Sequence, residues 1–123
     1  MDLIARLEQA EVGSRELDRA VALALGWAIK RWPNGQGEDW RRIDGTLVLN
    51  TNFSTSLDAA LTLVPTGWHW TVYDTDGLGR GYACAQVEPP EYSYEPISAD
   101  AVTPALALCI ACLRARLAAE QAP

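Results

Sequence analysis

The chain has 123 residues, 49% of them hydrophobic, and 16 acidic side chains against 10 basic ones give it a net charge of −6. That length fits one domain, residues 1–123, with a core large enough to need no disulfide or metal staple. The acidic balance argues against diffuse binding to nucleic acid or to an anionic membrane.

Leu3, Ile4, Leu7 and Ala10 fall at helical spacing and predict a short amphipathic helix that ends near Gly13. Ser14 is placed to cap the next helix, whose stripe is Leu17, Ala20, Val21, Ala24 and Leu25. Gly26 is suited to the left-handed residue that closes it. Residues 27–32 read as a strand, 33–39 as a polar turn, and 40–49 as a returning strand with a bend at Asp44-Gly45. Ser54 or Thr55 is expected to cap a third helix with a stripe of Leu57, Ala60, Leu61 and Val64, stopped by Pro65 and Gly67.

Residues 68–73 alternate, with Trp68, Trp70 and Val72 expected in the core and His69, Thr71 and Tyr73 on the other face. A hairpin loop at 74–79 leads to a strand over 80–87, whose Ala83, Ala85 and Val87 share a face. Pro89 and Pro90 end it, and residues 92–100 read as an acidic, aromatic loop. Thr103 caps the last helix with Pro104 at its first position. Between Pro104 and Leu113 that helix has no charged residue and is apolar almost all round, which predicts the central buried helix. It is too short to span a bilayer, and residues 118–123 are expected to fray.

This order predicts an α+β fold: four helices and a small, largely antiparallel sheet of about four strands, layered as an α/β/α sandwich or in two layers. Two helices share an ending in Gly-Trp, at Gly26-Trp27 and at Gly67-Trp68.

Chemical motifs are scarce. There is no phosphate loop, dinucleotide fingerprint, hydrolase elbow or metalloprotease motif. Three cysteines cannot all pair within one chain, and no secretory leader is apparent, so a reducing cytoplasm with free, metal-free thiols is expected. Cys109 and Cys112 lie at i, i+3, but zinc needs two further ligands, and only Cys84 and His69 remain to supply them. His69 with Asp74 or Asp76 could form an acid/base pair, although a lone histidine in an aromatic strand is more often structural.

The surplus to explain is tryptophan with arginine. Trp32 and Trp40 flank the 33–39 loop, Arg41 and Arg42 lie beside them with Lys30 and Arg31, and Arg80 begins a neighbouring strand. Indole faces suit a base and guanidinium forks suit a phosphate, so Trp32, Trp40, Arg41, Arg42 and Arg80 form a candidate ligand-binding cluster. Glu38, Asp39 and Asp44 stand close enough in sequence to balance the same cations with no ligand.

Three segments, SRELDRAVALALGW at 14–27, FSTSLDAALTLVPTGWHWTV at 53–72 and TPALALCIACLRAR at 103–116, resemble in order the phage ABA sandwich domain, a family of small phage and prophage proteins. The resemblance implies a helix/sheet/helix sandwich working in the cytoplasm of an infected bacterium. It implies no catalytic residue, metal or cofactor. The expectation is a non-enzymatic accessory protein that binds a small anionic ligand, such as a nucleotide signal of host immunity, or a host protein. The alternative is a structural or partner-binding phage protein, including a homo-oligomer, with no small-molecule ligand.

Overall fold

The computed structural model describes residues 2–65, 67–74, 83–90 and 96–121, with side chains from 117 onward and that of Asp74 left aside. Four helices and six strands follow in the order α1 (Leu3–Gln9), α2 (Arg15–Ala24), β1 (Ala28–Arg31), β2 (Glu38–Arg41), β3 (Leu47–Val48), α3 (Leu57–Leu61), β4 (His69–Asp74), β5 (Ala83–Glu88), β6 (Ile97–Ala101) and α4 (Pro104–Gln121). The α+β class and the four helices match the expectation. The sheet does not: two separate antiparallel sheets of three strands, β1-β2-β3 and β4-β5-β6, replace one of about four.

α4 is the centre. Residues 105–113 and Ala115 are buried on every side. One side packs on β5 and β6, while α1 and α3 pack against α4 elsewhere. Pro104 opens the helix, and Thr103 accepts from Leu106 N through Oγ1 at 3.2 Å. The helix continues to Gln121, past the point where fraying was expected.

On the second sheet Ala83, Ala85, Val87, Ala99 and Ala101 are buried, and these small side chains let the sheet approach α4 closely. On the opposite face His69, Thr71, Tyr73, Ser98 and Asp100 are exposed, while Cys84 between Tyr73 and Asp100 is buried and Gln86 is half-buried, and the described residues do not establish a second helical layer over this sheet. Residues 97–100 fall within the expected 92–100 loop. Ile97–Ala101 forms an edge strand instead, with Ile97, Ala99 and Ala101 turned inward and Ser98 and Asp100 outward. Trp68 and Val72 pack against the core as expected, but Trp70 is 48% exposed, because β4 is the last strand and nothing flanks it among the described residues.

Helix ends follow the predicted grammar. Ser14 Oγ accepts from Leu17 N at 3.1 Å. Gly26 has φ +82°, with Gly26 N bonded to Leu23 O and Trp27 N to Ala22 O, both at 3.0 Å, which is a complete Schellman closure. Gly67 repeats the positive φ before Trp68. α3 starts later than expected, because Ser56 is its cap, accepting from Ala59 N at 3.3 Å.

Ser54 does other work. It is fully buried and joins α2 to the 51–56 segment. Asp18 Oδ1 accepts from Ser54 N at 2.8 Å and from Ser54 Oγ at 2.6 Å, and Ser14 N donates to Ser54 Oγ at 2.9 Å.

All three cysteines are free and buried. Burial raises each thiol, with Cys112 pushed up to about 12, so they stay protonated at neutral pH and pack as small hydrophobes. Among the described residues no three His, Cys, Asp or Glu side chains converge as a metal site. No described helix is long and apolar enough to cross a membrane.

Candidate functional site

The expected Trp/Arg cluster separates into distinct environments. The β1–β2 register sets Ile29 opposite Trp40, and β2–β3 sets Trp40 opposite Val48, so these three point to one face of the first sheet. That face is the core side. Trp40 is only 2% exposed, stacks at a tilt on Phe53 at 6.4 Å, and is covered by the Arg15 guanidinium at 4.3 Å. It is therefore no platform for a ligand base. Its Nε1 has no completed hydrogen bond, although the indole lies near enough to Glu38 to help lower that carboxyl. The larger cause is Arg19, which bonds both Glu38 oxygens at 2.5 and 2.6 Å and holds the carboxyl below its usual range.

Trp32 and Arg41 lie on the outer face. Trp32 Nε1 donates to Asp39 Oδ1 at 2.9 Å. Arg41 Nη2 stands 3.8 Å from Asp39 Oδ2, and its Nη1 donates to Gly45 O at 2.9 Å. Asp39 thus supplies the anion that the sequence left open, and these two side chains are engaged without a ligand. Arg80 and Asp76 lie outside the described residues, as does the Asp74 side chain, so the geometry of a His69–carboxylate pair is not described.

Arg42 turns the other way, into a cleft. The β2–β3 turn is closed by Arg42 N to Thr46 O at 3.0 Å and Gly45 N to Arg42 O at 2.9 Å, which fixes where Arg42, Ile43 and Asp44 project. The guanidinium of Arg42 sits 5.6 Å from the centroid of Trp27. Trp27 is in turn held edge-on against Phe53, centroids 5.5 Å apart, directly after the Schellman closure.

The other wall comes from the end of α3 and from α4: Thr62, and Arg116, whose Nη2 donates to Leu63 O at 3.3 Å. Leu25 also lines this cleft of about 350 Å³. A wider groove of about 670 Å³ shares Leu25, Ile43 and Arg116 with it and runs along Leu3, Ile4 and Leu113.

The cleft's electrostatics follow from which charges are already satisfied. The Thr46 hydroxyl, then the Thr46 backbone N–H that donates to Asp44 Oδ1 at 2.9 Å, with Arg42 nearby, hold the Asp44 carboxyl below the usual range. In the wider groove Asp2 caps α1 through Ala5 N, and Glu8 pairs with Arg114 at 3.4 Å. Among the described residues neither Arg42 nor Arg116 has a carboxylate within ion-pair distance. Two guanidinium groups, the Trp27 indole and the Asp44 carboxylate line this cleft with Thr62, whose hydroxyl donates to Ala59 O at 2.6 Å, and the lining holds no His, Cys or Ser. That set can bind an anion; it offers no ready nucleophile.

Sequence reading found Arg42 but missed Trp27, Thr62 and Arg116. The Gly26-Trp27 junction and the two arginines ending the apolar run were visible, but nothing in the sequence shows that they meet. Compared with protein-family models, with curated proteins and with solved structures, the chain matches none.

Proposed function

We propose that the chain is a phage-encoded, non-enzymatic accessory protein that captures a small phosphate-bearing ligand between Arg42 and Arg116, sequestering a nucleotide signal of host immunity in the bacterial cytoplasm. The observation that carries this reading is that both guanidinium groups line one cleft with Trp27 while the acids around them are already bonded. Guanidinium forks match phosphate oxygens, and a volume of this order suits a small ligand. The phage setting rests on the three segments at 14–27, 53–72 and 103–116. Capture alone needs affinity and no turnover, which fits a lining without a nucleophile.

The test is thermal melting with mononucleotides and cyclic dinucleotides. A binder at a hundredfold excess over its dissociation constant adds ~2.7 kcal/mol to stability. Arg42→Ala with Arg116→Ala should abolish that gain, whereas Arg41→Ala should leave it. If no nucleotide raises the melting temperature of the unaltered protein, or if the double variant keeps the gain, this reading fails.

A second reading, a partner-binding protein without a small ligand, is favoured by one observation: Ile43 and Leu49 are 81% and 87% exposed on the turn and strand end beside the cleft. Under it, the same melts show no nucleotide effect.

A further inference from the structure

The two sheets have four outer strands, and three of their edges are guarded. β1 carries the exposed cations Lys30 and Arg31. β3 is two residues long. β6 is packed by α1, and Arg114 Nη1 donates to Ser98 O at 3.0 Å. These are familiar ways of keeping a sheet edge from recruiting another strand.

β4 has none of them. Its sequence, HWTVYD, is six residues of extended chain without Lys, Arg, Pro or Gly. It pairs with β5 along its whole length on one side and with no described strand on the other. Its aromatics are exposed on both faces: Trp70 on the α4 side and Tyr73 on the open side, with His69 and Thr71 also exposed. Such a strand is matched by another with the same alternation.

We infer that β4 pairs antiparallel with β4 of a second copy about a two-fold axis through Thr71, joining the two β4-β5-β6 sheets into one of six strands. The strand is self-complementary in that register. Thr71 meets the partner's Thr71, Trp70 meets the partner's Val72, and His69 meets the partner's Tyr73. Each is a cross-strand pair of a stabilising kind, aromatic with β-branched, aromatic with aromatic, or Thr with Thr. An axis perpendicular to the sheet keeps facing residues on the same face, so both α4 helices lie on one side and the interface is isologous. The pairing covers Trp70, which is left half-exposed on the core side of the single chain. It is independent of the Arg42–Arg116 cleft.

Light scattering after size exclusion, over a concentration series, should give twice the 13.4 kDa chain mass. Thr71→Lys places like charges on the axis and should return the monomer mass, with the helical circular dichroism unchanged. Thr71→Cys should form a disulfide-linked dimer on mild oxidation, whereas Ser98→Cys, exposed on the same face but on β6, should not. A monomer mass for the unaltered protein at every concentration overturns the inference and leaves the edge to a strand of another protein. A dimer mass retained by Thr71→Lys, or equal cross-linking at positions 71 and 98, overturns it as well.

Discussion

Replacing Asp18 with alanine is expected to cost about 1–3 kcal/mol, the penalty for leaving a buried donor without its acceptor. Asp18 is 1% exposed and receives both the backbone N–H and the hydroxyl of Ser54 on a single oxygen, while Arg15 Nη1 stands 3.2 Å from the other. Truncation leaves the Ser54 N–H in a dry interior without an acceptor, and its hydroxyl with only Ser14 O at 2.9 Å. The loss spreads, because Ser54 also receives Ser14 N, the residue that caps α2, and Arg15 leaves its position over Trp40. Asp18→Asn keeps an acceptor for Ser54 without the charge and should cost about 1–2 kcal/mol, the difference between charged and neutral hydrogen bonds. Urea denaturation measures both: the midpoint falls and the slope stays constant. A loss under ~1 kcal/mol for Asp18→Ala would show that water or a neighbouring group takes over the acceptor role.

Ile110→Ala in α4 is expected to cost about 2–5 kcal/mol, lost transfer energy plus the cavity left behind. Ile110 is fully buried in a helix enclosed by β5 and β6 on one side and by α1 and α3 elsewhere. Walls made of separate elements relax poorly into a hole, which places the loss toward the upper part of that range. The same denaturation experiment on Leu106→Ala gives an internal comparison, since Leu106 is equally buried. A loss under ~1 kcal/mol at both positions would remove α4 from the centre of the core.

α4 was legible because an all-round apolar helix has only one place to go, and Ser14, Gly26 and Thr103 were legible because capping is local. The two-sheet arrangement was not. Alternation marks a strand but not its partner beyond the next hairpin, and α3 with its flanking turns separates the two meanders. β6 carried a signal in the alternation of Ile97, Ala99 and Ala101 with Ser98 and Asp100, hidden by the acidic, aromatic residues before it.

Trp40 was misplaced for a physical reason. Its four-residue strand, EDWR, has three charged residues and looks solvated, yet the register with Ile29 and Val48 turns the one large apolar side chain inward, and Arg15 and Phe53 close over it. Arg41 and Arg42 are adjacent in sequence but part ways, one bonded across the turn to Gly45 O and the other set on Trp27. Neighbouring positions on extended chain point to opposite faces, so a cluster of arginines in sequence is not a cluster in space.

The most direct measurement of the central claim follows the arginine Nε–H resonances of isotopically labelled protein as inorganic pyrophosphate is added. Capture between Arg42 and Arg116 predicts that these two resonances move together along one saturating curve. Arg15 and Arg19, already engaged by Asp18 and Glu38, should stay in place, and so should Arg41. Movement of Arg41 with Arg42 and Arg116 unmoved, a uniform drift of every arginine, or no movement at all would contradict the account.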